Sequence, residues 1–553
     1  MQVIRPPKVY DAIVIGSGAG GGTAAQRLTD AGLEVVLLEA GPKLDPARDY
    51  AEHKWPYDYS DHGRTMNRHL GGRRIPGEPY VVADGDEFVW MRARTLGGRT
   101  NNWGRHSYRM AEWDFRTHDE FGMGVNWPVT YDDLEPYYTE AEKFLGVSGT
   151  REGLPSLPDG HYLPRMNPKC HEAILTSGAR KLGIPMIPVR RALLTQNHGE
   201  HPACHWCGQC DRGCATGSKY GSIHWSIEPA LKSGNLTLLT DSMAREITVD
   251  GAGRADGISY VDRRTGSEIE VKAKHIFVAG GTLETTRLLL NSKSRLHPNG
   301  LGGSSGELGR NLTDTVGTGN TVGILPQLVN RERFNEDGIH SGHVMVPWWK
   351  YDRSKYKLDY AGGYHMEVYG GFSMPSMAFA RDVNNYFPGY GSSLKRSARE
   401  HFGAIVGIKC TGESYPNPRS FVEIDPAVVD DWGVPVLRIH FEWSENDYKM
   451  AEDMRVELAR IVDASGGTLL ENPDHRRRRA GMIAGGSHIH ELGTSRMGRN
   501  PKTSVTNQFG QVWDSPNVSL IDGSVFCTNP DKNPTLTLIA LAMRACDKVL
   551  DEG

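Results

Sequence analysis

Residues 9–15 are almost continuously apolar and run into the small-residue segment Gly16-Ser17-Gly18-Ala19-Gly20-Gly21-Gly22. That pattern predicts a strand buried on both faces, a tight turn, and a helix through Leu28. A second buried strand is expected at 34–41, EVVLLEAG, which completes a βαβ opening. Residues 127–149 combine a turn at Pro128, a Thr130/Asp133 capping pattern and an acidic amphipathic helix. Residues 236–279 read as strands joined by turns at Asp250-Gly251 and Thr265-Gly266, and HIFVAGG then leads into a helix over LETTRLLLNS. Between 330 and 480 short alternating strands and many aromatics surround one helix near 447–464. VSLIDGSVF is strand-like, and PTLTLIALAMRACDKVL predicts a closing helix. The fold class expected is α/β (α+β). No apolar run reaches 18 residues, so no transmembrane helix is expected.

Composition narrows the class of protein. The 553 residues are 38% hydrophobic, enough for a large core, and 63 − 67 = −4 leaves a near-neutral chain, which argues against nucleic acid as the main partner. The 65 glycines, about 12% against a usual ~7%, have no Gly-X-Y period and point to loops where backbone approaches a cofactor. Eight cysteines are too few for a disulfide scaffold, but Cys204, Cys207, Cys210 and Cys214 fall within eleven residues, in a 195–220 loop dense in Cys, Gly and His. The N-terminus shows no long apolar stretch ending in a small-residue cleavage site. The expectation is a cytoplasmic chain, or one exported on a partner that carries the signal.

Gly16-x-Gly18-x-x-Gly21 fits the dinucleotide fingerprint, and its context supports it. It follows a strand and precedes a helix whose free N–H groups and positive dipole end suit a pyrophosphate. Glu39, at the end of the next strand, is placed to accept from ribose hydroxyls and disfavours a 2′-phosphate. FAD and NAD are not separated by this motif alone. Further along, Ser487-His488-Ile489-His490 puts two histidines on one face of an extended segment, and Asn533-Pro534-Thr535 opens the last helix. A helix N-terminus stabilises an anionic reduced flavin ring, and a neutral His beside the flavin can take the proton of an alcohol as its hydride leaves. His490 could also be structural, or a metal ligand with His488, although no third ligand stands at metal spacing.

Over almost its whole length the chain resembles the glucose–methanol–choline (GMC) oxidoreductase family. The resemblance is carried by IGSGAGGG and LLEAG between 15 and 41, LGGRTNNWG at 96–104, DF at 114–115, VAGGTLETTRLLLNS at 278–292, LGRNLTD at 308–314, HELGTSRMG at 490–498 and LIDGSVFCTNPDKNPTLTLIALAMRA at 520–545. It implies a Rossmann-like FAD-binding domain, over 1–150, 225–325 and 485–553, interwoven with a substrate domain at 326–484 built on an antiparallel sheet. A Cys-rich insertion would occupy 151–224. It implies His490 as catalytic base and Asn533 as the second active-site residue, a pair similar to that of pyranose and cholesterol oxidases. Gly97, Gly98, Asn101, Asn102 and Trp103 would line the isoalloxazine. Pyranose oxidases carry a covalently linked His in this stretch; Asn102 stands there here, so non-covalent FAD is implied. Ala244 would touch the adenine, Asp522 and Gly523 the ribityl-pyrophosphate, and Ala40, Arg94, Ala279, Gly280 and Thr535 other parts of the cofactor.

The spacing Cys204-x2-Cys207-x2-Cys210-x3-Cys214 is that of one bacterial ferredoxin-type run, with Ala215 where a Pro usually follows. An iron–sulfur cluster is the reading this favours. Zinc with help from His201, His205 or His224, and disulfides or free thiols, are the alternatives. Most GMC members have no cluster. Bacterial flavin-dependent sugar dehydrogenases bind one through three Cys spaced x5 then x3, matched by Cys204, Cys210 and Cys214. The resemblance therefore favours [3Fe-4S], while Cys207 would permit [4Fe-4S]. A cluster implies a dehydrogenase passing single electrons to a carrier rather than to O2. The relatives imply a small subunit carrying the export signal, a cytochrome c acceptor and a periplasmic location. They also imply oxidation of a secondary ring hydroxyl of a pyranose or glycoside, first at C3 to give a 3-keto sugar. Glucose 1-dehydrogenase, gluconate 2-dehydrogenase, an O2-using oxidase with structural zinc, and a non-catalytic electron-transfer flavoprotein are the other readings.

Overall fold

Val9–Ile15 lies inside a mostly parallel sheet whose strands run in the order Gln511–Val512, Ser515–Leu520, Glu268–Val278, Val9–Ile15, Val35–Leu38, Leu236–Leu239. In this computed structural model the described residues are 8–50, 52, 72, 75–318, 321–332, 338–372, 383, 385–387, 389–470 and 478–552. Ala12, Ile13, Val14, Val35, Val36 and Leu37 are fully buried, as strands covered on both faces require. The register brings the strand ends level: Ile15 lies opposite Leu38 and Val278, Val278 opposite Leu520, and Leu38 opposite Leu239. Ligands of open parallel sheets bind beyond such carboxyl ends. Two antiparallel strands, Ser242–Val249 and Ala255–Asp262, extend this sheet from Glu268–Val278 through the turns expected at 250–251 and 265–266.

Helix Ala19–Asp30 follows the glycine turn and packs on the closing helix Thr535–Glu552, which also packs on Tyr131–Leu145. The expected cap of that last helix is present: Thr130 N–H donates to Asp133 Oδ2 at 2.8 Å, and Asp133 N–H returns to Thr130 Oγ1 at 3.3 Å.

A second, six-stranded antiparallel sheet has the order Thr468–Leu470, Thr321–Ile324, Ile405–Gly412, Tyr364–Gly370, Val344–Val346, Ile187–Pro188. Helix Glu445–Ala464 covers it, burying Met450, Ala451, Met454, Leu458, Ile461 and Val462 at helical spacing. The helix starts two residues before the expected 447 because the Ser444 hydroxyl caps it, accepting from Asp447 N–H at 3.3 Å. The strands cross the segment boundaries drawn from sequence. Val81–Val82 pairs with Pro435–His440, Ile187–Pro188 pairs with Val344–Val346, and Thr321–Ile324 joins the antiparallel sheet. Val81–Val82 and Ile187–Pro188 add at sheet edges and Thr321–Ile324 is paired on both sides, pairings that segment-level composition does not record.

Candidate active site

The level ends of the parallel strands form one side of a cavity of about 540 Å³, and the antiparallel sheet closes the other. At its nucleotide end the turn after Ile15 requires glycine: Gly16 has φ +92°, and a Cβ there would lie 2.4 Å from the Ala279 carbonyl oxygen. A Cβ on Gly21 would lie 1.8 Å from Gly16 O, so the helix rests directly on the turn. Over Gly18 the space is open, with nothing within 4 Å of an added Cβ. Gly18 caps helix Ala19–Asp30 with no side-chain hydrogen bond, which leaves its first N–H groups for an anion.

Glu39 is buried at the end of the second strand. Its Oε1 accepts from Gly41 N–H at 2.8 Å and keeps acceptor capacity, while Oε2 accepts from Ser17. Burial raises its pKa, and the Ser17 and Gly41 hydrogen bonds and nearby Arg94 oppose that rise. An uncapped helix terminus, open space above it and a buried carboxylate on the neighbouring strand fit an adenine dinucleotide.

Of the residues expected at the cofactor, Gly16, Gly18, Glu39, Ala40, Arg94, Gly98, Asn102, Trp103, Ala244, Ala279, Gly280, Asp522, Gly523 and Thr535 line the cavity. Gly21, Gly97 and Asn101 do not; they stand behind its wall. Asn101 spends its amide on the Leu96 and Gly98 carbonyls at 2.9 and 3.1 Å, stapling the loop whose left-handed turn is Gly97. Arg94 is held by Glu78 at 2.6 Å and by Glu284. Asp522 accepts from Gly281 N–H and Ser524 N–H, each at 2.9 Å, and from Thr285 Oγ1, so it fixes two loop ends against each other.

At the reactive end, His490 Nε2 stands 3.4 Å from Asn533 Nδ2, and Asn533 Oδ1 is buried without a hydrogen-bond partner. His490 Nδ1 lies 3.0 Å from Thr315 Oγ1. Thr315 donates its one hydroxyl proton to Asn529 Oδ1 at 3.1 Å, and Asn529 Nδ2 donates to the His490 carbonyl at 2.8 Å. The Thr315 oxygen can therefore only accept from His490, which assigns the proton to Nδ1 and leaves a lone pair on Nε2. Burial first, then Lys409 nearby, pushes the His490 pKa down to about 3, so the ring is neutral. Beneath it the Asp314 carboxylate accepts from His490 N–H at 3.2 Å and His488 N–H at 3.4 Å. Burial and then Glu491 raise Asp314 to about 7. Thr315, Asn529 and Asp314 were missed in the sequence. Thr315 directly follows LGRNLTD and Asn529 precedes Asn533 by four residues, so adjacency to motif residues was the signal available.

The Cys loop borders the same cavity through Asp211, between Cys210 and Cys214. Lys219, fully buried, donates to Asn101 O at 2.6 Å and to Cys210 O at 2.7 Å, joining this loop to the one at 97–103. All four cysteines are free thiols. Burial raises Cys204 to about 12 and Cys207 to about 11, and in both cases the neighbouring thiols add to the rise. Among the described residues no three His, Cys, Asp or Glu side chains converge to hold a metal, these thiols included. His201 stacks on Trp225 at 4.0 Å, and His224 Nδ1 faces Glu228 Oε2 at 3.1 Å. Trp103 lines the cavity, its indole N–H on Tyr220 O at 2.9 Å, whereas Trp206 packs near His343.

Residues 10–316 match the N-terminal part of the GMC oxidoreductase family and residues 416–542 its C-terminal part. The 2-methyl-1,2-propanediol dehydrogenase of Mycolicibacterium austroafricanum is 30% identical over 98% of this chain and 95% of its own. The fructose dehydrogenase large subunit of Gluconobacter japonicus is 26% identical over 98% of each chain. Among solved structures, formate oxidase of Aspergillus oryzae superposes with a TM-score of 0.65 at 16% identity, covering 99% of each chain, which is a likeness of fold.

Proposed function

This chain belongs to the GMC oxidoreductase family, whose members bind FAD and oxidise CH–OH groups of alcohols or sugars, and on that premise we propose that it is the catalytic subunit of a sugar dehydrogenase. In this reading it oxidises a secondary ring hydroxyl of a pyranose or glycoside, with C3 as the carbon attacked and a 3-keto sugar as product. FAD, held without a covalent bond, supplies the hydride acceptor. The observation that carries the reading is the His490 hydrogen-bond chain, because it leaves one basic lone pair aimed at the space beside Asn533.

The chain's own residues then act as follows. The turn at Gly16–Gly18 and the uncapped helix N-terminus would hold the pyrophosphate, and the Glu39 carboxylate would accept from the ribose. The N-terminus of Thr535–Glu552 turns its positive dipole end to the reactive side of the cavity. A substrate carbinol oxygen between His490 Nε2 and Asn533 Nδ2 donates to the first and accepts from the second. His490 stays unprotonated across the physiological range because its pKa is about 3, so the acceptor is always available. A weak base suffices because loss of hydride makes the carbinol O–H far more acidic. Thr315 and Asn529 keep the ring in the tautomer that presents Nε2.

The 204–214 loop is proposed to hold an iron–sulfur cluster, [3Fe-4S] in preference to [4Fe-4S], that carries electrons to a cytochrome c-type acceptor. Support comes from four cysteines within eleven residues, none in a disulfide, of which Cys204 and Cys207 have their thiolates disfavoured first by burial and then by the neighbouring thiols, a cost that bound iron relieves. The bond from Lys219 to both Asn101 and Cys210 makes the thiol loop part of the cofactor wall. A partner subunit, with export to the periplasm on its signal, fits a relative that is itself named a large subunit. No helix among the described residues is long and apolar enough to cross a membrane.

A panel of sugars and glycosides with an artificial electron acceptor, followed by product NMR, tests the reaction. Failure of every sugar, glycoside and simple alcohol to bleach the flavin anaerobically overturns it. Iron and acid-labile sulfide analysis tests the cluster: zinc alone, or no metal, removes it. An EPR signal in the oxidised protein marks three irons, and one seen only after reduction marks four.

A further inference from the structure

Opposite the nucleotide end, the cavity wall is made by the antiparallel sheet. Glu367 on Tyr364–Gly370 and Lys409 on Ile405–Gly412 are directly paired across the two strands, and both line the cavity together with His488. Both act electrostatically on His490, so they stand on the same side of the cavity as that ring. The two oxygens of Glu367 differ. Oε1 is 3.1 Å from His106 Nε2 and 3.3 Å from His365 Nε2, which spends it on the protein. Oε2 faces Lys409 Nζ at 3.6 Å, an ion-pair contact too long for a hydrogen bond. Burial pushes the Glu367 carboxyl up, but His106, Lys409 and His365 together hold it well below the usual carboxylate range. The His488 side chain is buried at 7% exposure, and neither ring nitrogen has a hydrogen-bond partner. Burial, then Lys409 and His490, keeps that ring neutral.

A carboxylate oxygen and an ammonium, side by side and unsatisfied by each other, match the two halves of a vicinal diol. One hydroxyl donates to Glu367 Oε2 and its neighbour accepts from Lys409 Nζ, both as charge-assisted hydrogen bonds. The two paired strands give this wall one positive and one negative charge, with the neutral His488 imidazole beside them. The Glu367–Lys409 pair is neutral overall and offers no net attraction to a charged substrate group, so a neutral polyol is the class that fits it. We propose that Glu367 and Lys409 form a clamp for two adjacent hydroxyls, with His488 as a further polar contact, so that the enzyme selects a neutral vicinal diol over an isolated hydroxyl. The proposal rests on His490 acting as the base, and it adds the residues that decide which alcohol is presented to it.

The test uses the FAD-loaded enzyme and two ring alcohols that differ only in the second hydroxyl, trans-1,2-cyclohexanediol and cyclohexanol. The expected kcat/KM preference for the diol is about 10- to 100-fold, since a site built to hydrogen-bond a hydroxyl rejects the analogue that lacks it. In Lys409→Met and in the isosteric Glu367→Gln that preference falls below about threefold. Flavin absorbance reports whether each variant keeps its cofactor, and the wild-type comparison stands even if a variant loses it. Equal use of both alcohols by the wild type overturns the clamp, as does an undiminished preference in both FAD-loaded variants. If sugars bleach the flavin while the diol shows no advantage, the clamp alone falls. If no alcohol or sugar bleaches it, the dehydrogenase reading falls and the clamp with it.

Discussion

The two ends of the cavity are built on different principles. At the nucleotide end the shape comes mainly from backbone: level strand ends, a glycine turn, and a helix terminus left uncapped at Gly18, with the Glu39 carboxylate as the side-chain exception. At the reactive end they come from side chains, with His490, Thr315, Asn529 and Asn533 linked in one hydrogen-bond chain and Glu367 and Lys409 facing them from another sheet. A backbone site fails by steric intrusion, which is all or nothing. A side-chain site fails by degrees, according to which proton or lone pair is lost. The contrast teaches that binding of the cofactor and chemistry upon it should be separable by mutation.

The strongest break is expected at the reactive end. His490→Ala should keep FAD bound while anaerobic flavin reduction by substrate slows by about a thousandfold in stopped-flow measurements, within the 10²–10⁴ range for a positioned base. Unchanged reduction would remove His490 from that role. At the other end, Gly21→Ala should weaken FAD retention by more than about a hundredfold, because the new Cβ meets Gly16 O at 1.8 Å. Absorbance of the purified protein measures this, and full FAD occupancy would refute the packing argument. Thr315→Val should keep the cofactor but slow flavin reduction roughly 10- to 100-fold, as lost outer hydrogen bonds to a functional imidazole do. Thr315→Ser should restore the rate; if Val and Ser behave alike, the tautomer is set by something else.

The smallest effect concerns pH. His490 itself does not titrate between pH 5 and 9, whereas Asp314 directly beneath it, raised to about 7 by burial and Glu491, does. Its ionised form accepts better from the His488 and His490 N–H groups and favours proton uptake on the imidazole. The rate of flavin reduction should therefore rise with pH, by about threefold from pH 6 to 8. Asp314→Asn should flatten the profile, and a slope that survives the substitution assigns it elsewhere.

Legibility in the sequence followed the same division. The nucleotide end was readable because its requirements are local: strand, glycines, helix and acid lie within residues 9–41. The helix over 131–145 was readable from its Thr130/Asp133 box for the same reason. His490 and Asn533 came from motif position, and their meeting across 43 residues is a tertiary fact. Thr315 and Asn529 were hidden because a hydroxyl and an amide have no periodic signature, and what matters is the direction of their hydrogen bonds. Glu367 and Lys409 were hidden by register, since two strands of alternating polarity do not reveal which residues face each other. Gly97 and Asn101 show the converse, being motif residues that shape the wall from behind. The Cys spacing named four donors, but spacing along the chain does not dictate how thiols converge in space.

The level strand ends have one further consequence. Ile15, Leu38, Leu239, Val278 and Leu520 are aligned by main-chain pairing, so the position of the ledge is set by backbone register rather than by contacts its side chains make into the cavity. The facing sheet is free to exchange its polar residues without moving that ledge. One half of the cavity thus serves as a fixed stage on which evolution can recast the substrate.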